Sequence, residues 1–421
     1  MSMPPALQER DFRYLWFAGL LSDAGDWMLL IALPIVVYGL TGSALGTSVA
    51  FLAELVPGIV LAPLAGRLAD RADRRRVMLG VTVLQALSLL PLLLVGGHSG
   101  LAIVYAVIVV QASLATLFDP SKNALLPTLL RPETLVSGNS LIALNAGIGR
   151  LVGGPLGGLL LAAGDLRVIV IADAVSFVAA AALIAALPAT GAMQATSAPG
   201  GTSAAGGVDG RTSFTATLRS RKIRSVLLVT FVDQIAQGIF VVLFILFVAH
   251  ELHGGSSEIG LLRGVQAVGA IGAGLALSFT RSPNLAGRLI AIGSIAFGLL
   301  DLTIWNAPPL TTGVGVYVLL FVVAGAPGVV LETGLISYLQ LAAGKHERGR
   351  VFGAYTLVSN AGQGAGMLAA GLLTAPLGLM TLLNAQGGLY LLGGALAALT
   401  LARAPRRRTA APGARRLTVG G

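Results

Sequence analysis

Long apolar runs recur about a dozen times along this chain, and charge is confined almost entirely to the gaps between them. A helix needs about 20 apolar residues to cross the hydrocarbon core of a bilayer. On that basis the sequence predicts helices over 13–38, 45–65, 77–96, 100–118, 138–163, 167–188, 224–249, 257–279, 286–305, 311–331, 351–374 and 378–402. Backbone polar groups in lipid must be satisfied within the segment, so runs of this length imply an all-α membrane bundle. Only 11% of the 421 residues are charged, against roughly 25% in an ordinary soluble domain. That leaves too little polar surface for a water-soluble fold. The 56 glycines sit inside the apolar runs, where small residues let helices approach closely.

The net charge of +10 does not read as a nucleic-acid footprint, because the basic residues punctuate the chain instead of forming one stripe. They fall in alternate gaps: Arg10 and Arg13; Arg67, Arg71, Arg74, Arg75 and Arg76; Lys122 and Arg131; Arg211 to Arg224; Arg281 and Arg288; Lys345, Arg348 and Arg350; and the tail from Arg403 to Arg416. The other gaps hold only Arg167. By the positive-inside rule both termini and the middle linker are cytoplasmic, in a bacterial inner membrane. Lipid is then an expected partner and nucleic acid is not. The amino end is polar through Arg13 and enters a run too long for a signal-peptide core. Cysteine is absent, and His98, His250, His253 and His346 fall in or beside expected loops. Neither a metal site nor a cofactor is expected.

Residues 189–213, rich in Ala, Gly, Ser and Thr, cannot bury a core and read as a flexible linker. They divide the chain into a six-helix half over 1–188, a linker over 189–222, a second six-helix half over 223–403 and a basic tail over 404–421. The halves echo each other. Asn145-Ala-Gly-Ile-Gly in the fifth run matches Asn360-Ala-Gly-Gln-Gly in the eleventh, and Asp23 matches Asp233 in depth. Six spans per half make this a parallel pseudo-repeat about an axis along the membrane normal.

The loop after the second run reads Gly66-Arg-Leu-Ala-Asp70-Arg71-Ala-Asp73-Arg74-Arg75-Arg76. It resembles the loop signature of the major facilitator superfamily at Gly66, Asp70, Arg71, Arg74 and Arg75, with Asp73 in place of a second glycine. The resemblance implies the twelve-helix major facilitator fold and a cytoplasmic gate in which Gly66 allows a tight helix exit and Asp70 sits among the bases. Phe12-Arg13-Tyr-Leu-Trp16, Ser22-Asp-Ala-Gly-Asp26, Thr41-Gly-Ser43 and Asp173-Ala-Val-Ser-Phe177 resemble the enterobactin-exporter and macrolide-efflux branch. Gly153-Gly154-Pro155-Leu-Gly157-Gly158 resembles the glycine–proline motif of drug:proton antiporters, one residue short before the glycine pair. The resemblance implies a monomeric exporter of small molecules driven by protons; no nucleotide-binding loop is present.

An ionisable residue deep in a span costs a few kcal/mol, so each needs a partner or a task. Asp23 and Asp26 lie three apart on one helix face, about 15–20 Å along the first helix. They read as a proton-binding pair or a contact for a cationic substrate, or else as partners of Arg150 or a cap at a Gly25 kink. Glu54, beside Pro57, and Asp233, beside Gln234 and Gln237, carry the same two readings. Arg150 is a counter-ion for an acid or a site that frees its proton. Arg263 is expected to snorkel to the outer interface, Asp173 and Asp301 to be interface or packing residues, and Glu332 to pair with Lys345 or Arg348. Trp16, Phe17, Trp27, Phe51, Tyr105, Phe118, Phe231, Phe240 and Phe244 read either as the lining of a cavity for lipophilic or cationic ligands or, for at least half of them, as lipid-facing side chains.

The expected function is thus a secondary exporter of lipophilic or cationic molecules by alternating access. A siderophore, peptide or lysolipid carrier of the same fold stays open, as does a non-transporting membrane sensor. An enzyme is not expected, because no polar catalytic cluster lies within the spans.

Overall fold

The computed structural model describes residues 4–95, 100–164, 166–187, 220–278, 285–343 and 347–401. Twelve long helices carry the described chain: α1 Arg10–Thr41, α2 Ala44–Arg71, α3 Arg74–Leu89, α4 Leu101–Leu129, α5 Leu135–Ala162, α6 Leu166–Ala185, α7 Arg221–His250, α8 Ser256–Ser278, α9 Ala286–Trp305, α10 Val314–Ala342, α11 Arg348–Leu377 and α12 Leu379–Thr400. A 3-10 turn over Leu90–Leu94 extends α3. The expected all-α architecture is the one observed. The low-complexity stretch 189–213 and the tail 404–421 lie outside the described residues, as do His98, Arg281, Lys345 and His346.

The turns follow from local chemistry. Gly42 closes α1 at φ 60, where its amide donates to Tyr38 O, and Ser43 then caps α2 by accepting from the amides of Leu45 and Gly46. A side chain at Gly42 would be strained in that left-handed conformation. Gly378, at φ 84, both ends α11 and begins α12. Asp73 caps α3 through the Arg76 amide.

Hydropathy understates two of the helices. Ten are long and apolar enough to span a bilayer, and α5 and α11 are not among them. These two are 28 and 30 residues long, so length is ample; glycine, asparagine and Arg150 or Gln363 dilute their apolar content. They hold equivalent places in the two halves. Both are packed between a helix of their own half and one of the other, where small residues are worth more than apolar bulk.

Helix pairing makes the repeat explicit. In the first half α1 packs on α5 and α6, α2 on α4, and α3 on α4 and α6. In the second half α7 packs on α11 and α12, α8 on α10, and α9 on α10 and α12. Each contact recurs six helices later. The halves meet through α5 against α8 and α11 against α2, a pair that the same shift exchanges. On the outside Val60 (65%), Leu319 (69%) and Leu275 (62%) stay largely exposed, forming the apolar surface that lipid covers.

Several helices outrun the sequence reading. The fourth, expected to end at residue 118, continues through Pro120 and Pro127 to Leu129. Asp119 and Lys122 therefore belong to a helix and not to a loop. Likewise α2 passes through Gly66 to Arg71, and the chain leaves the helix at Ala72; Gly66 is not at a helix exit.

Candidate functional site

One end of the bundle, opposite the end where α1 begins and α12 finishes, is sealed by side chains from both halves. Ile31 of α1, Phe51 of α2, Phe244 and Ile245 of α7, Ile259 of α8 and Met367 of α11 share one buried apolar cluster. Above it the Tyr38 hydroxyl and His250 Nε2 form a hydrogen bond between α1 and α7. The glycine–proline motif supplies the tightest part of the seal. A Cβ on Gly158 would lie 2.2 Å from Ser256 O and 2.9 Å from Gly260 Cα, so α5 and α8 touch backbone to backbone. On the neighbouring face Gly153 and Gly157 meet α1, where added Cβ atoms would lie 2.3 Å from Ala24 O and 2.7 Å from Met28 O. Pro155 packs on Gly264. The motif thus gives α5 two close faces, Gly153 and Gly157 toward its own half, Gly154 and Gly158 toward the other.

Among the described residues, the ties found at the opposite end lie within one half. Arg74 Nη1 donates to Ala124 O of α4 at 2.9 Å. Arg75 donates to Ile184 O and Ala185 O at the end of α6, where a cation complements the free carbonyls. Arg131 pairs with Glu9 at 3.2 Å. Gly66, Asp70 and Arg71 occupy the last two turns of α2.

Among the described residues, two cavities between the ends hold ionisable side chains of interest. The first, about 190 Å³, is an open cleft between α1, α2 and α4 lined by Asp26, Glu54 and Gln111 among Leu29, Leu30, Leu33 and Ile108. Asp26 Oδ2 accepts a long bond from Ser22 Oγ at 3.4 Å. Gln111 Nε2 donates to Gln85 O, while its Oε1 has no protein partner. Asp23, one turn from Asp26, lies with its backbone against Gly149 of α5. Its charge interacts with Lys122 of α4, which is mostly buried, pairs with Asp119 at 2.9 Å and rests on the Phe118 ring. Lys122, expected from sequence to lie in a loop, is a helix residue whose charge interacts with Asp23 and Asp26. Pro120 does not end α4, which runs on to Leu129 and so carries Lys122 on a helix.

The second cavity, about 290 Å³, lies mainly in the second half and reaches α5; Arg150, Asp233, Gln234, Arg263, Glu332 and Tyr390 are among its lining residues. Asp233 Oδ2 accepts from Ser294 Oγ at 2.8 Å, and Oδ1 is buried against Gly393 of α12. Tyr390 donates to Gln237 Oε1 at 3.0 Å. Arg150 does not pair with Asp23, Asp26 or any other carboxylate among the described residues. It donates to Arg263 O and Gln266 Oε1 and lies over the Trp27 ring. Arg263 does not snorkel outward. Its guanidinium lies 5.0 Å from the Phe240 ring and 5.7 Å from that of Phe244, since α8 presents this face to the interface between halves and not to lipid. Glu332 lines the same cavity, while Arg348 turns back to Gln340 O.

Asp301 is a packing residue, as expected: Gln386 Nε2 donates to its Oδ2 at 2.6 Å, and Trp305 Nε1 donates to Gln386 Oε1 at 2.9 Å. Asp173 is buried on α6 against Gly25 of α1, with Ser176 donating to it at 3.1 Å. Asp233 repeats that arrangement in reverse, with the acid on α7 and the glycine on α12. Of the expected cavity aromatics, only Phe240 lines the larger cavity, beside Phe297, Tyr355 and Tyr390.

Comparison with known proteins bears on what this arrangement is for. A family profile described as transmembrane secretion effector, of the major facilitator type, matches residues 2–413. The chain belongs to that family. Among curated relatives it is 29% identical over 182 residues to the uncharacterized MFS-type transporter YfiS of Bacillus subtilis (strain 168), 43% of each chain. It is 34% identical over 154 residues to the multidrug efflux pump Tap of Mycolicibacterium fortuitum, covering 35% of this chain and 37% of that one. It is 28% identical over 172 residues to macrolide efflux protein A of Streptococcus pyogenes, 40% and 42%. The matches thus span well under half the length of these relatives. Among solved structures, the nucleoside transporter NupG superposes with TM-score 0.75 at 12% identity, over 93% of this chain and all of that one. A bacterial homologue of the human lysosomal transporter Spinster, in an inward-facing unoccupied state, gives 0.73 at 13% identity, over 95% and 98%. These likenesses establish the major facilitator fold. The chain is a multi-pass membrane protein of the transmembrane secretion effector family.

Proposed function

We propose that this chain is a proton-driven exporter of small lipophilic or cationic molecules, lying in a bacterial inner membrane with both termini cytoplasmic and working as a monomer. The observation that carries the reading is the pairing of a sealed outer end with an apolar cavity holding Asp26 and Glu54, neither within ion-pair distance of a cation among the described residues. Carboxylates in such a site suit a proton or an organic cation. Asp23, Asp26, Glu54 and Asp233 are the coupling and recognition acids. The relatives named as multidrug and macrolide efflux proteins support the direction and the substrate class.

Transport proceeds by rocking the halves about the midplane. Opening the seal requires α5 to part from α8 and α11 from α2. The cytoplasmic end then closes, and the segment from Gly66 through Asp70 and Arg71 to Arg74 and Arg75 forms its gate. One proton crossing 100 mV supplies about 2.3 kcal/mol, enough to bias such an equilibrium.

Everted vesicles test this reading. Energised to an acid interior and reported by a pH-sensitive dye, they should alkalinise when lipophilic cations or macrolides are added. The response should vanish in at least one of Asp23→Asn, Asp26→Asn and Asp233→Asn. Silence across the panel, with inserted and folded protein, would overturn antiport.

A further inference from the structure

Arg150 and Arg263 are the two cations lining the larger cavity, one contributed by each half. Neither has a carboxylate within ion-pair distance among the described residues. A guanidinium carries five N–H donors. Arg150 uses two of its nitrogens, on Arg263 O and Gln266 Oε1. Arg263 donates no hydrogen bond to a described residue and rests on the faces of Phe240 and Phe244. Glu54 of α2 interacts electrostatically with Arg263 but lies beyond ion-pair distance. Asp233 and Glu332 line the same cavity without pairing with either arginine, and two buried guanidinium groups that lack a paired anion repel each other and forgo their water. Structural cations are ordinarily paired; this pair faces open volume.

We infer that the Arg150–Arg263 pair is an anion subsite, which takes the carboxylate or phosphate group of an organic substrate whose apolar or aromatic body lies against Phe240, Phe297, Tyr355 and Tyr390. The guanidinium fork matches a carboxylate or phosphate edge to edge, and the aromatic lining suits an aryl body. A cavity of about 290 Å³ is at the small end of the range for organic ligands. Since one arginine comes from each half, the bound anion bridges the interface that must open during transport. The cavity between α1, α2 and α4 holds Asp26 and Glu54 and no arginine, whereas the larger one holds both arginines together with Asp233 and Glu332, so only the larger one offers guanidinium donors to an anion. This extends the export reading above to a second substrate class and rests on it only for the direction of movement.

The test uses the full chain in phosphatidylcholine nanodiscs, which present no anionic headgroup. The probes are biphenyl-4-carboxylate and its neutral isostere biphenyl-4-carboxamide, titrated calorimetrically. The wild-type protein should bind the carboxylate at least about tenfold more tightly than the amide, as expected for a charge-assisted bond. Arg150→Gln and Arg263→Gln should each erase that preference, and Arg263→Lys should keep part of it, retaining charge without the fork. Equal affinity of the wild-type protein for the two probes overturns the subsite without recourse to any variant. So does a preference that survives in both Gln variants. Vesicle transport separates the two proposals. Carboxylate binding through the arginines with no probe moved would refute export and leave the subsite standing. Export of cations with no carboxylate preference would do the reverse.

Discussion

Replacing Gly158 with alanine should open the sealed end of the bundle. The added Cβ would lie 2.2 Å from Ser256 O and 2.9 Å from Gly260 Cα, about 1.2 Å short of ordinary contact with a backbone oxygen that cannot rotate away. Forcing a methyl group into such a contact costs about 1–3 kcal/mol. The contact joins α5 to α8, which belong to opposite halves, so the penalty falls on the closed state and is relieved when the halves part. At 1.4 kcal/mol per factor of ten, the population open at that end should rise roughly tenfold. The natural chain has no cysteine, which makes the assay free of background. A single cysteine at Ile31 (Ile31→Cys), 5% exposed within the seal, should react with a maleimide roughly tenfold faster in the Gly158→Ala background. Gly153→Ala creates a similar clash, 2.3 Å from Ala24 O, but within one half; it should lower thermal stability without accelerating labelling. Gly147, with nothing within 4 Å of an added Cβ, is the neutral control. Equal labelling rates in the Gly158→Ala and Gly153→Ala backgrounds would refute the assignment of the motif to the seal.

Further outcomes follow from single contacts. Tyr38→Phe removes the bond to His250, worth about 0.5–1.5 kcal/mol, and should raise labelling of the same cysteine a few-fold; no change would mean the bond holds nothing shut. Trp305→Phe leaves the fully buried Gln386 Oε1 without its donor, which should lower unfolding free energy in detergent by about 1–3 kcal/mol. Lys122→Gln removes the partner of Asp119 and the cation that Asp23 senses. Its stability cost should be about 1.5 kcal/mol, because Asp119 is mostly exposed, and Lys122→Arg should restore both stability and substrate-dependent alkalinisation in vesicles. Failure of the arginine variant to restore either would show that shape, not charge, matters there.

The helices were legible because bilayer physics acts on composition: a segment that crosses hydrocarbon must be apolar over a fixed length, whatever it packs against. The same logic misplaced the end of α4. Asp119, Pro120 and Lys122 look like a loop to hydropathy, but a membrane helix can carry a proline, and an ion pair when a neighbouring helix shelters it. It also misdirected Arg263. Its position early in α8 fits snorkelling, and only the packing of α8 on α5 turns it inward. The repeat could be glimpsed in Asn145 and Asn360, whereas the glycines of α5 gave no hint of which face served which half.

By itself, then, the sequence determined the class of solvent, the number of crossings, the two-half organisation and the set of acids that burial makes costly. Each is a property of one segment measured against lipid. The tertiary structure decided which end of the bundle is closed, that Asp26 shares its cavity with Glu54 and not with Arg150, and that Arg150 and Arg263 meet across the interface with no carboxylate at ion-pair distance among the described residues. Those facts depend on the rotation and register of helices more than a hundred residues apart. Close packing of small residues fixes that geometry, and no local pattern along the chain encodes it.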